Sequence, residues 1–361
     1  MVHRSLTILS VAAVCLVVTP EALYGQVWRV PLRDIHLDRH GPNDIIAAES
    51  VEFLPDGKTL ATAGYVYSGK TGSTTAEVRL YHPDDASVQA ILPGTARKYA
   101  IGSGCLAISS SGKLLAAAGT VKSHEAVVDL FEPVERELVR TLKGDPQTIF
   151  WLAFSPDEKT LAVARAFGPL ELWDLESGKI KSVLEGVSRA VFSPDGVMLA
   201  TDSDDEKVAI KFWSIDTAKP KEIGRIPALD MLPWAIAFSP DGKLVAAGGT
   251  GAEDSPVYVW QLARPERKGD PITAIRTVRL PGHREVTLSV AFSRDGKWLV
   301  SANSDQTARL WSMDSMTETA VIPAHRDVVY DAAFSPDGKS LVTLGRDAMM
   351  LWELKSLLRG K

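Results

Sequence analysis

Apolar and polar residues alternate along most of this chain, in short runs broken by turns. Val286, Leu288, Val290 and Phe292 mark one such run, and "WLVSAN" follows it after a turn. A third run ends in an aromatic residue, and a fourth is more polar, as in "TAVIPAH". A period of two puts successive side chains on opposite faces, so each run reads as a half-buried strand; no window carries the helical period. The aromatic-ended run recurs as "VRLY", "VDLF", "LELW", "IKFW", "VYVW", "ARLW" and "MMLW". Four runs split by turns describe one four-stranded antiparallel sheet, and the pattern predicts seven such units.

One turn phrase separates the first two runs of every unit. It reads "EFLPDGK" at Lys58, "AISSSGK" at Lys113, "AFSPDEK" at Lys159 and "VFSPDG" at Gly196. It returns as "AFSPDGK" at Lys243, "AFSRDGK" at Lys297 and "AFSPDGK" at Lys339. Gly57 and Gly338 lie six periods apart, about 47 residues each, which is the range of solenoids, propellers and arrays. Proline presets φ at the second turn position, aspartate bonds nearby amides, and glycine takes a positive φ. The phrase is therefore a hairpin clamp. Glu158 stands in place of glycine in the third copy, and Arg294 in place of proline in the sixth.

These residues resemble the WD-repeat β-propeller family, whose units carry a Gly-His near the first strand and a Trp-Asp closing the third. The resemblance covers about residues 26 to 355 and is strongest in the last two units. The sixth supplies Gly282, His283, Ser301, Asp305 and Trp311; the seventh supplies His325, Thr343, Asp347 and Trp352. In the family the His, Ser/Thr, Asp and Trp form a hydrogen-bonded chain, which satisfies buried polar atoms and locks a blade. The literal Trp-Asp occurs only at Trp173-Asp174. Units one and two end in Tyr81 and Phe131, and Gly144-Asp145 stands where Gly-His would in unit three, so the early blades depart from the pattern. The resemblance implies an all-β, seven-bladed propeller of four-stranded antiparallel sheets. Periplasmic propellers of the TolB-like type also use a Ser-Pro-Asp-Gly turn, but the repeated aromatic and the two His/Asp sets favour the WD-repeat assignment.

An open ring would leave two raw sheet edges. The seventh unit has only three strands before the chain ends. The alternating segment "QVWRVPL", residues 26 to 32, is expected to add the fourth and so close the ring. Residues 26 to 361 then form one propeller domain.

Composition narrows the function. A net charge of −5 and 24% charged residues argue against a large nucleic-acid footprint. Residues 1 to 25 have the shape of a secretory signal peptide: Arg4, an apolar run from Leu6 to Val18, then Pro20 and Gly25. That run is too short to span a bilayer. An exported chain, periplasmic or secreted, is expected, without a transmembrane span once mature. Of two cysteines, Cys15 leaves with the signal and Cys105 sits in the apolar stretch "GCLAIS", so it reads as a buried hydrophobe.

No catalytic set converges. His283, Ser301 and Asp305 mimic a triad, but the same arrangement recurs one repeat later, which a triad does not do. His36 and His40 lack a third metal ligand, and the acids Asp202 to Glu206 lack the glycine and distal Glu of a calcium loop, so they read as an exposed turn. Neither a metal nor a cofactor is expected. The resemblance points instead to a non-catalytic scaffold, a monomer that binds a protein or peptide on the narrow top face. Candidates there are Arg97, Lys98, Tyr99, Trp151, Arg189, Trp234, Arg284, Arg326 and Tyr330, since aromatics and arginines dominate interface energetics. Trp234 shares the alternation of Ile236 and Phe238, and Phe150 that of Leu152 and Phe154, which suits packing; Trp151 and Tyr99 fall outside it. The alternative is a lactonase-like propeller enzyme with carboxylates at the channel, for which Glu49 and Asp331 lie on channel-side strands.

Overall fold

A computed structural model describes residues 26–31, 45–67, 74–94, 98–99, 105–120, 125–144, 147–166, 168–215, 219–251, 254–263, 271–323 and 325–358. Seven antiparallel sheets stand around a central channel, laid down from the centre outward in chain order except that the outermost strand of the seventh comes from the N-terminal segment. Their inner strands are Ile45–Phe53, Leu106–Ile108, Ile149–Phe154, Ala190–Phe192, Met231–Phe238, Thr287–Phe292 and Val329–Phe334. In the second blade the inner position is shared: Lys98–Tyr99 also pairs with Leu115–Thr120. One short helix, Leu354–Leu357, follows the last blade.

The ring closes through the N-terminal strand. Gln26–Pro31 is the outermost strand of the seventh blade, with Gln26 opposite Trp352 and Pro31 opposite Ala348. It ends one residue short of the expected segment. Every interface between consecutive blades holds an apolar cluster. Val51 and Tyr81 of the first blade pack with Leu344, Met349 and Leu351 of the seventh. The third-strand tryptophans sit in these interfaces, Trp311 between blades five and six and Trp352 between six and seven. A two-faced blade buries both its faces only if it has two neighbours, so the core runs continuously around the ring.

The recurring turns line the bottom face. In the fifth copy Asp241 accepts from the Ser239 hydroxyl at 2.7 Å and from the Lys243 amide at 3.0 Å, and Leu244 N–H donates to Ser239 Oγ at 2.8 Å. The third copy resolves its own irregularity. Glu158 adopts φ +59 where the other copies use glycine. Its carboxylate reaches the second blade, accepting from the Ser110 and Ser111 hydroxyls, each at 2.8 Å. Ser110 and Ser111 occupy the Pro and Asp positions of their own copy, so two departures in adjacent blades meet and form a polar clasp.

Candidate functional site

The top face, opposite these turns, is shaped by a repeated irregularity. The register of the inner strand shifts between Ala48 and Ser50, Ile149 and Trp151, Pro233 and Ala235, Thr287 and Ser289, and Val329 and Asp331. The extra residues are Glu49, Phe150, Trp234, Leu288 and Tyr330. A bulge re-aims its side chain and interrupts alternation. This is why Trp234, in phase with Ile236 and Phe238 by sequence, is 42% exposed instead of packed within its blade.

Three blades meet at one feature on this face. The Arg189 guanidinium lies 5.2 Å from the Phe150 ring centroid and 4.6 Å from that of Trp234, within cation–π range of both. Asp202 holds the arginine at 3.4 Å and also accepts the Ser188 and Arg189 amides at 2.6 and 2.9 Å. Asp202 is therefore buried and structural, not part of an exposed turn; Asp204, Asp205 and Glu206 after it are exposed. Trp151 turns toward the channel, its Nε1–H donating to the Ala190 carbonyl of the next blade at 2.7 Å. Arg284 and Arg326 are exposed, and their amides donate to Asp305 and Asp347 at 3.2 and 3.3 Å. Tyr330 is half-buried at its bulge. Lys98 and Tyr99 form the short second-blade strand, while Arg97, His36, His40 and residues 1 to 25 lie outside the described residues.

Below this rim the channel contains a cavity of about 300 Å³ lined by Glu52, Trp151, Ser289 and Asp331 among apolar residues. Its carboxylates are Glu52 and Asp331; the side chain of Glu49, placed here by sequence, lies outside the described atoms. Asp331 accepts the Val51 amide at 3.0 Å and the Ser50 hydroxyl at 3.4 Å, both from the first blade, and the Ala332 amide at 2.9 Å. Burial drives its carboxyl up to about 7 against these bonds and one from Ser289. Burial also drives Glu52 up to about 8, and Asp331 adds to the rise, against a hydrogen bond from the Ile108 amide.

The two His sets are closed inside their blades. Trp311 Nε1–H donates to Ser301 Oγ at 2.9 Å; His283 Nε2 is 2.7 Å from that oxygen, and its Nδ1 is 3.0 Å from Asp305. Burial holds the His283 imidazole below its ordinary pKa. A neutral ring then accepts from Ser301 and donates to Asp305. In the seventh blade Trp352 Nε1 meets Thr343 Oγ1 at 2.9 Å, and His325 spans Thr343 at 3.0 Å and Asp347 at 2.7 Å. In both sets the buried imidazole is bonded at each of its two ring nitrogens.

Sequence reasoning missed the networks of the early blades. In the third blade Glu171 takes the Trp173 indole N–H and the Arg165 guanidinium, each at 2.9 Å. In the fourth, Trp213 donates to Thr201 at 3.0 Å. The first pairs Arg79 with Glu77 at 2.6 Å. A signal existed: Glu77 and Arg79 precede Tyr81, and Glu171 precedes Trp173, in the same period-two phase. Cys105 is buried, with Sγ 3.9 Å from the Ile149 carbonyl oxygen. Among the described residues no group of three or more His, Cys, Asp or Glu could hold a metal ion, and no helix is long and apolar enough to cross a membrane.

Comparison with known proteins agrees with this architecture. Residues 232–261, 273–312 and 316–351 match the family described as WD domain, G-beta repeat. The nuclear distribution protein PAC1 of Arthroderma benhamiae is 29% identical over 192 residues, half of this chain and 39% of PAC1. The Protein LST8 homolog of Drosophila melanogaster is 24% identical over 269 residues, 72% of this chain and 77% of its own length. Protein groucho of the same fly is 25% identical over 197 residues, 54% of this chain and 24% of groucho. The chain thus spans well under half the length of PAC1 and groucho.

Proposed function

This chain belongs to the WD-repeat β-propeller family, and from that premise we propose that it is a non-catalytic scaffold whose top face holds a protein or peptide partner. The observation that carries this is the Phe150–Arg189–Trp234 stack. It sets a rigid aromatic anchor, drawn from three blades, beside the channel mouth. Interface hot spots favour such pre-ordered aromatic and arginine groups. Arg284, Arg326 and Tyr330 extend the surface across blades six and seven. The related proteins include, by name, a Target of rapamycin complex subunit from Schizosaccharomyces pombe, which accords with a role in assemblies. A photo-crosslinking residue placed at position 234, 326 or 330 should give discrete adducts in the native cell, and one at Val183 on an outer strand should not. Adducts from no top-face position would sink the reading.

The proposal includes a monomeric chain and its export, the latter supported by the character of residues 1 to 25. N-terminal sequencing of the chain recovered from its own cell should begin near Gln26; recovery of Met1 or Val2 would contradict export.

One observation favours a second reading, an enzyme using the channel. Glu52 and Asp331 share a cavity and both hold protons near neutrality, as a general acid must. Against it, Asp331 spends its oxygens on amides of two blades. Ester or lactone turnover abolished by Glu52→Gln in a folded protein would decide for the enzyme.

A further inference from the structure

The inner strand of the fifth blade runs on above the top face. Met231–Phe238 pairs with Leu244–Gly251 from Phe238 opposite Val245 out to Met231 opposite Gly251, longer than the ladder of the third blade. Its partner ends in "GGTG". A side chain at Gly249 would collide with the Leu232 carbonyl oxygen, and one at Gly248 with Thr287. The close backbone approach demands glycine at 249. Pro233 faces Gly249, and Ala235 faces Gly248. Leu229 precedes this ladder, Leu232 faces Thr250 and Trp234 sits at the bulge; they are 46%, 60% and 42% exposed along this ridge. Of the other large exposed apolar residues, Val139, Ile180, Val183 and Ile275 lie on outer strands, and Val134 and Val197 lie in turns.

Charge surrounds this ridge unevenly. Beside it, reached through the Arg189–Asp202 pair that also touches Trp234, the loop before Val208–Ser214 carries Asp204, Asp205 and Glu206. Lys211 answers Asp204 at 3.3 Å. Asp205 and Glu206 are exposed and, among the described residues, join no ion pair; Asp205 also accepts the amide of Lys207, the exposed cation of the same loop, at 2.9 Å. On the other side Arg279 is taken up by Asp254 and Asp230. The rim is acidic, which repels anionic lipid and nucleic acid and favours a cation.

We propose that this ridge docks a peptide segment of a protein partner in which apolar residues are interspersed with Lys or Arg. The apolar side chains cover Leu229, Leu232 and Trp234, and the basic ones face Asp205 and Glu206. The occupant follows from the pairing of an exposed apolar strip with carboxylates that join no ion pair: acidic segments would be repelled, and wholly apolar ones would leave the rim charges without a cationic counterpart. This rests on the scaffold reading and names the chemistry of its partner.

Selection of random twelve-residue displayed peptides on the purified chain tests it. The enriched sequences should combine aliphatic or aromatic residues with Lys or Arg. A synthetic peptide of that sequence should lose affinity about tenfold or more on Leu232→Asp, roughly 1.4 kcal/mol or more, and weaken as salt is raised. Reversal of Asp205 and Glu206 to lysine should weaken the same peptide and admit acidic ones. Leu232 and Glu206 are exposed, so their variants should melt like the parent; Asp205 also caps the Lys207 amide, so its reversal is read at a temperature where the variant is folded. An acidic consensus, or peptides that bind Leu232→Asp unchanged, would overturn the ridge while leaving a scaffold with its surface elsewhere. No enrichment would overturn the ridge, and the crosslinking experiment would then decide the scaffold separately.

Discussion

Gly112 lies against Pro55: a Cβ on that glycine would stand 2.9 Å from the proline Cδ. The turn proline of one blade rests over the turn glycine of the next, and the pattern repeats at Pro156 with Gly196 and Pro240 with Gly296. It also crosses the ring seam, from Pro336 to Gly57. The recurring turn phrase is thus an inter-blade contact as well as a hairpin clamp. Where Arg294 replaces proline, Gly338 has nothing within 4 Å of its Cβ direction. Arg294→Pro should restore the contact and restrict the unfolded chain, raising stability by roughly 0.5–1 kcal/mol. A urea midpoint equal to or below the parent's would refute this.

The seventh-blade hydrogen-bond chain makes a second prediction. His325→Ala removes one hydrogen bond from the Asp347 carboxylate and one from the Thr343 hydroxyl, which keep the Arg326 amide and the Trp352 indole, and leaves a cavity inside a packed blade, at a cost of about 2–4 kcal/mol. Binding of a top-face partner at temperatures where the variant stays folded should be little changed. A variant as stable as the parent but defective in function would assign His325 a direct role instead.

Stability should depend on pH through the channel carboxyls. Unfolded, Glu52 and Asp331 titrate near their ordinary values of 4.5 and 3.8; folded, they hold their protons up to about 8 and about 7. Between these limits the folded chain binds more protons, so this contribution is fully present below about pH 4 and is lost as pH rises toward 8. The groups facing the pair are Ser50, Ser289 and the amides of Val51, Ile108 and Ala332. Glu52→Gln keeps an acceptor for the Ile108 amide but cannot ionise, so the loss between pH 5 and pH 8 should shrink. Equal slopes for the two proteins in urea titrations would dismiss the idea.

Deletion of residues 26–31 should open the ring. The third strand of the last blade, Ala348–Glu353, would lose its outer partner, and melting should fall by roughly 10 °C or more with broadened cooperativity. An unchanged calorimetric transition would show that closure lies elsewhere.

Much of the architecture is legible without coordinates. Period-two alternation, the seven turn copies and the aromatic ending each third strand specify local geometry, and local geometry repeated at a fixed spacing has few ways to bury its faces. The shortage of one strand in the last unit likewise called for Gln26–Pro31. The His-to-Trp chains of the last two blades are readable for the same reason, because their spacing repeats. What the tertiary structure alone decided are the places where the period fails. A bulge at the top of the inner strands turned Trp234 outward and set it on Arg189, because an extra residue reverses the facing that alternation assigns. Glu158 found Ser110 and Ser111, and Asp331 found Val51 across the seam. Such pairs lie a full repeat or a full ring apart in sequence: stacking of adjacent blades makes the former neighbours, and only closure of the ring the latter.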